Sequence, residues 1–215
     1  MTLRVGLSGG LACGKSTVCG LLQALGTPVV EADALYEELQ RPGSPVLREV
    51  AEVVGSDALD ARGALDVEAL RVRTLQEPGL RPLLGRLVHV PWFDAVRRET
   101  ERICALGPPL VVVAVPMLFE SRTRSDGGSP WMRFDRTVCV WAPREAQIAR
   151  TLSRDGGSAA DAEVRLARQL PSDAQRALAD HVLDNSGPEA LLRSRVEALH
   201  GQLLAQAARP RDAGK

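Results

Sequence analysis

Short apolar runs alternate with amphipathic stretches along most of the chain. Leu3–Leu7, Pro28–Glu31, Leu110–Val115, Thr137–Trp141 and His181–Leu183 are brief, and most are rich in valine. Runs that stay apolar on consecutive residues predict strands covered on both faces, as in a parallel sheet. Between them, apolar positions recur three and four residues apart. Thr17–Leu25 (Val18, Leu21, Leu22, Leu25), Ala34–Gln40, Glu145–Ser153 and Glu189–Gln206 therefore predict helices. Alternation of this kind predicts an α/β fold, a doubly wound parallel sheet of about five strands with ligands at the strands' carboxyl ends.

The interval Pro42–Leu106 breaks the alternation. It carries helical patterns at Val46–Val54, Val67–Leu75 and Leu83–Ala105 and no strand, and it is too long for a simple crossover. A helical insert against the core is expected there, a natural place for a second substrate. The expected organisation is one domain over 1–208: a core of 1–41 and 107–208, an insert of 42–106, and a helical lid at about 144–170. Ser121–Pro130, with Gly127, Gly128 and Pro130, reads as an exposed loop, and Arg209–Lys215 as a disordered tail.

Composition narrows the function. The 215 residues are 45% apolar, enough to bury a full core, and the 27 basic and 27 acidic side chains cancel. No global field draws the chain to nucleic acid or a membrane. Phe, Trp and Tyr number 3, 3 and 1, too few for a platform that stacks single-stranded bases. Cys13, Cys19, Cys104 and Cys139 form no C-x-x-C pair, so buried reduced thiols are expected and no zinc site. The first residues lead into a strand with no signal-like region, and no apolar run reaches membrane-spanning length. The expectation is a cytoplasmic protein with no membrane, nucleic-acid or obligate protein partner.

Lysine usage points to the chemistry. Only Lys15 and the terminal Lys215 are lysines; every other basic residue is arginine. Lys15 lies in Gly9-Gly10-Leu11-Ala12-Cys13-Gly14-Lys15-Ser16, the spacing of a P-loop between a strand and a helix. Glycines let consecutive backbone N–H groups curl around a polyphosphate at a helix N-terminus. A slim ammonium reaches the β- and γ-phosphates where a guanidinium fork would not fit. Gly10, Leu11, Ala12, Cys13, Gly14, Lys15, Ser16 and Thr17 are the candidate nucleotide contacts, with the Ser16 hydroxyl on Mg²⁺.

Three further features point to phosphoryl transfer onto a small acceptor. Glu31-Ala32-Asp33 ends the second strand, where Asp33 either accepts a proton from an attacking hydroxyl or caps the following helix. Arg150 and Arg154, four apart on one helix face after Arg144, either clamp a transferring phosphoryl group from a mobile helix or form a solvated face. Val111–Val115 runs into Pro116-Met117-Leu118-Phe119-Glu120 and not into a Walker-B aspartate, which favours small-molecule kinases over switch NTPases.

Together these motifs resemble the dephospho-CoA kinase family across nearly the whole chain. Gly6–Val18 is similar to G-L-T-G-G-I-G-S-G-K-S-T-V, and Glu31-Ala32-Asp33 with Pro42-Gly43-Ser44-Pro45 to D-A-D…P-G-S-P. Val115–Glu120 resembles V-P-L-L-F-E, Ala142–Ile148 through Arg154-Asp155-Gly156 resembles A-P-x-E-x-Q-I…R-D-G, and Ala179–Gly187 resembles A-D-x-V-I-D-N-S-G. The resemblance implies ATP-dependent phosphorylation of the ribose 3′-hydroxyl of dephospho-CoA. It implies Asp33 as base, Lys15 and Arg150 on the phosphates, Asn185 and Gly187 near the adenine, and His89, Leu118 and Glu120 beside the acceptor. Departures are Glu31, Glu37, His89-Val90-Pro91, and Ala12-Cys13 where Gly-Ser is common. Cys13, beside a helix N-terminus and Lys15, is a candidate reactive thiol that ATP would protect, provided its side chain faces outward.

Overall fold

The computed structural model describes residues 1–123 and 132–209. In chain order, β1 (Leu3–Gly9) turns into α1 (Lys15–Ala24), and β2 (Val29–Glu31) runs without a break into α2 (Ala32–Leu39). Then come α3 (Pro45–Val54), α4 (Val67–Gln76), α5 (Leu80–Leu84), α6 (Val90–Ala105), β3 (Leu110–Ala114) and α7 (Leu118–Thr123). After residue 131 follow β4 (Arg136–Trp141), α8 (Arg144–Asp155), α9 (Ala159–Leu166), α10 (Ser172–Leu178), β5 (His181–Asp184) and α11 (Glu189–Ala207). The expected strands are all present, with ends moved by one or two residues. The expected helix Leu83–Ala105 starts earlier and is interrupted by a π turn over Gly85–His89. Pro91 has no N–H to close an α-helical turn, and the ladder widens just before it.

Two compact units result, Met1–Glu31 with Thr100–Lys215, and Ala32–Glu99. The first holds a five-stranded sheet of order β2-β3-β1-β4-β5. Every pairing is parallel, and the register sets Leu7 and Glu31 opposite Ala114, Gly9 opposite Val140, and Trp141 opposite Asp184. The carboxyl ends of all the strands therefore share one edge. On one face Val5, Leu7, Val112, Val138, Val140 and Leu183 pack with Val18 and Leu22 of α1. Leu192, Val196, Leu199 and Leu203 of α11, spaced four, three and four, complete that layer as a single apolar stripe. On the other face Gly6 leaves room for Leu118 and Phe134, whose side chains would stand about 3 Å from a Cβ there. Thr137, wholly buried at the start of β4, donates both its N–H and its hydroxyl to Asp180 Oδ2, each at 2.7 Å, which aligns β4 with β5.

The second unit is helical around Val46, Val50, Ala58, Leu70, Leu87 and Val88. Its Pro42-Gly43-Ser44-Pro45 segment is a helix start. Gly43 takes φ +80°, the Ser44 hydroxyl accepts from Leu47 N–H at 3.2 Å and donates to the Leu39 carbonyl at 2.6 Å, and Pro45 fills the first turn. Trp92 Nε1 donates to the Ala32 carbonyl at 2.6 Å, fastening α6 to α2. α2 falls in the helical unit and Thr100–Ala105 in the sheet unit, where the expected division is a core of 1–41 and 107–208 with an insert of 42–106. Of the loop expected over Ser121–Pro130, Ser121–Thr123 complete α7, and 124–130 lies outside the described residues, as does the expected tail from 210.

Phe119 is completely buried and is the largest such side chain among the described residues. Phe119→Ala is expected to cost about 3–5 kcal/mol of stability, read as a fall in Tm by calorimetry. Arg71→Ala, which removes only an exposed ion pair with Glu68, is expected to leave Tm where it was.

Candidate active site

β1 delivers the chain to the carboxyl edge of the sheet, and Gly10–Gly14 turns it into α1. Ala12 has φ +54° and Gly14 φ +92°, while Leu11 and Cys13 between and before them keep negative φ. Alternation of the two hands turns successive N–H groups toward one concave side, an anion nest. Cys13 N–H closes the turn on the Gly10 carbonyl at 3.2 Å, and Val18 N–H reaches the Gly14 carbonyl at 3.1 Å. α1 has Gly14 as its N-cap and no side-chain cap, so its positive end faces the nest. Lys15 is half-buried at the helix start, and Ser16 and Thr17 are exposed on its first turn. The expected phosphate-binding residues 10–17 thus come together, with Cys13 the one side chain turned inward.

Side chains from the last third of the chain surround the loop. Gln147 of α8, 2% exposed, donates from Nε2 to the Leu11 carbonyl at 2.8 Å and to Cys13 Sγ at 3.1 Å, and its Oε1 accepts from Ser172 Oγ at 2.7 Å. Gln169 Oε1 accepts from Leu11 N–H at 2.9 Å. Asn185, just past β5, donates from Nδ2 to the Cys13 carbonyl at 2.8 Å and sits so close to Gly14 that no side chain fits at that position. Arg150 Nη2 donates to the Asn185 carbonyl at 2.7 Å, and its Nη1 is buried with no protein partner, as is Ser8 Oγ. A buried guanidinium nitrogen left unsatisfied beside an anion nest fits a polyphosphate.

The two arginines expected to clamp a phosphoryl group, Arg150 and Arg154, part company. Arg150 reaches the site. Arg154 pairs with Asp155, which also pairs with Arg165, and these two guanidiniums hold the Asp155 carboxyl well below the usual carboxylate range. Arg144 pairs with Glu163 on the surface. An Arg150–Arg154 clamp is therefore not formed. Gln147 and Arg150 tie α8, within the expected lid of about 144–170, to the loop and to Asn185.

Other expectations change as well. Cys13 is 1% exposed, and burial pushes its thiol above the ordinary value, so a reactive thiolate is not formed there. Burial likewise pushes Cys139 up to about 12. Leu118 is 4% exposed and packs toward Gly6, which makes it a core residue and not an acceptor contact. Glu120 Oε1 accepts from Leu170 N–H at 3.0 Å and from Gln175 Nε2 at 3.3 Å, a tie between α7 and the start of α10. Asn185 gives its amide to the loop, and Gly187 lies two residues beyond, near Leu191. Glu31 ends β2 at the carboxyl edge. Asp33 is the second residue of α2, exposed and inside the first turn, and so not the cap of that helix. In the helical unit, exposed His89 joins a ring cluster with Tyr36, Trp92 and Phe93, at centroid distances of 6.5, 6.3 and 6.3 Å.

Three further residues are not singled out by their sequence pattern. Met117, 47% exposed just past β3, takes φ +54°, a backbone strain with no glycine or asparagine to signal it. Gln147 stands inside the motif Ala142–Ile148 without an assigned part, and Gln169 follows a helical pattern that ends with no distinguishing signal.

Comparison with known proteins gives the family. The dephospho-CoA kinase family model matches residues 3–190. Over 188 residues the chain is 44% identical to the dephospho-CoA kinase of Anaeromyxobacter dehalogenans, covering 87% of this chain and 86% of that one. It is 38% identical over 205 residues to that of Sodalis glossinidius, covering 95% and 93%. Among solved structures, TT1252 from Thermus thermophilus superposes with a TM-score of 0.73 at 30% identity, covering 94% of this chain and 98% of that one. The dephospho-CoA kinase of Campylobacter jejuni, at 17% identity, shares the fold with a TM-score of 0.65 over 96% and 99%. The chain belongs to the dephospho-CoA kinase family.

Proposed function

We propose that this chain transfers the terminal phosphoryl group of ATP to the ribose 3′-hydroxyl of dephospho-CoA, giving CoA and ADP. The observation that carries the reading is the family match over residues 3–190, which spans the anion nest, Asp33, Arg150 and Asn185. Backbone amides of the loop other than those of Leu11 and Cys13, which donate to Gln169 and to the Gly10 carbonyl, hold the β- and γ-phosphates, and Lys15 supplies the cation at the helix start. Asp33 takes the proton of the 3′-hydroxyl as its oxygen attacks the γ-phosphorus. The bond from that phosphorus to the bridging oxygen breaks, and ADP leaves with the electron pair. Arg150 offsets charge on the transferring group, and His89 of the helical unit is assigned to the acceptor.

Among the described residues no three His, Cys, Asp or Glu side chains are placed to hold a metal ion. The exposed Ser16 hydroxyl on the first turn of α1 would be the protein ligand of a Mg²⁺ bound with the phosphates. When bound, the ion neutralises charge between the β- and γ-phosphates. No helix of the described residues is long and apolar enough to cross a membrane, and the cytoplasm is the compartment this reading assigns.

The substrate test is ADP release in a coupled assay with dephospho-CoA, adenosine or AMP as acceptor. Turnover with dephospho-CoA alone is expected; equal rates with AMP would move the protein to another acceptor.

Asp33→Asn is expected to lower kcat by about 10²–10⁴ with ATP affinity and Tm little changed, as for loss of a positioned base. Glu31→Gln is expected to lose less. Near-wild-type turnover of Asp33→Asn would send the search for the base elsewhere.

Arg150→Ala is expected to lower kcat by roughly 10³, the order for an arginine that meets the transferring phosphoryl group. Arg144→Ala, which breaks only the surface pair with Glu163, should stay close to wild type. Equal losses in the two variants would show that Arg150 has no special place at the phosphates.

A further inference from the structure

Leu11 has both of its backbone polar groups taken by glutamine side chains, its carbonyl by Gln147 Nε2 at 2.8 Å and its N–H by Gln169 Oε1 at 2.9 Å. On the other side of Ala12, the Cys13 carbonyl is taken by Asn185 Nδ2 at 2.8 Å. The residue between these grips is an alanine at φ +54°. Left-handed backbone is open to glycine and disfavoured for an L-alanine, whose Cβ crowds the following carbonyl. Something must hold the loop in that shape.

We propose that Gln147 and Gln169 are positioning residues for ATP: by fixing Leu11 from both sides, with Asn185 fixing Cys13, they keep Ala12 left-handed and the nest open before the nucleotide arrives. Carboxamides suit the task because one can donate to a carbonyl and another accept from an amide without placing a negative charge beside phosphate. Gln147 has its orientation set independently, since Ser172 Oγ donates to its Oε1 at 2.7 Å and leaves Nε2 to face the loop. The grips on two carbonyls also matter electrostatically. Each turns a C=O dipole away from the side where the anion binds, so the nest presents N–H groups alone. Gln147 and Gln169 stand near the two ends of the stretch 144–170, so that stretch is attached to Leu11 at both ends.

The inference rests on ATP as the bound nucleotide, which titration of the wild type in the same series tests separately. ATP affinity is measured by calorimetric titration for wild type, Gln169→Leu, Ala12→Gly and the double variant, with KM for dephospho-CoA and Tm alongside. Losing one such hydrogen bond should weaken ATP about tenfold in Gln169→Leu, with KM for dephospho-CoA changed less than about twofold. With glycine at position 12 the left-handed backbone needs no holding, and the same substitution should weaken ATP by only about threefold or less. Equal weakening in both backgrounds overturns the proposal, because the grip then does not act through Ala12. So does unchanged ATP affinity in Gln169→Leu, or a loss shared equally by both substrates in step with Tm. Gln169→Asn, which keeps a carboxamide one methylene short, reads the same cycle should the leucine variant fail to fold.

Discussion

A phosphate held by backbone amides requires several consecutive N–H groups to face one point while their neighbouring carbonyls face elsewhere. A run of residues in ordinary right-handed or extended backbone does not do this; alternation with left-handed residues does. Ala12 and Gly14 supply it here, and much of the first unit is arranged around that need. β1 brings the loop to the sheet edge, α1 points its positive end at it, and Gln147, Gln169 and Asn185 occupy the groups that face away from the nest. The parallel sheet makes this possible. With every strand running the same way, the ends of β3, β4 and β5 arrive beside the end of β1, and residues distant in sequence can reach the same few peptide groups.

Much of the fold was legible in the sequence because its physics is local. Valine runs such as Leu110–Val115 are buried on both faces and read as parallel strands; α11 keeps its apolar stripe at regular spacing. What escaped depends on contacts between elements. Nothing in Ala32–Gln40 alone says that α2 is bound to α6 through Trp92 and to α3 through Ser44, and so belongs with the helical unit. The Pro42-Gly43-Ser44-Pro45 motif, quoted for its family likeness, is accounted for by the demands of starting a helix.

The site divides along the same line. Residues 10–17 were legible because a P-loop needs fixed spacing. The direction of each side chain was not. Leu118 and Cys13 lie in motifs that resemble functional ones and point into the core. Arg150 and Arg154 share a helix face by spacing, yet Asp155 and Arg165 draw the second into a surface network. Gln169 had no local signature at all, because its role is defined by a loop 158 residues earlier.

Those separations bear on how the protein comes into being. The bonds that shape the loop join residues 136, 158 and 172 positions apart in the chain. Contacts of such range form late, after the loop-closure entropy has been met, and during synthesis they must wait for the partner to emerge. The P-loop is made before its partners, and its left-handed alanine is flanked by these bonds only when α8, the stretch before α10 and finally the end of β5 have been added. A nascent chain that stops before Asn185 carries the whole P-loop motif in sequence and lacks the side chain that takes the Cys13 carbonyl, so the loop's surroundings are completed by residues made long after it.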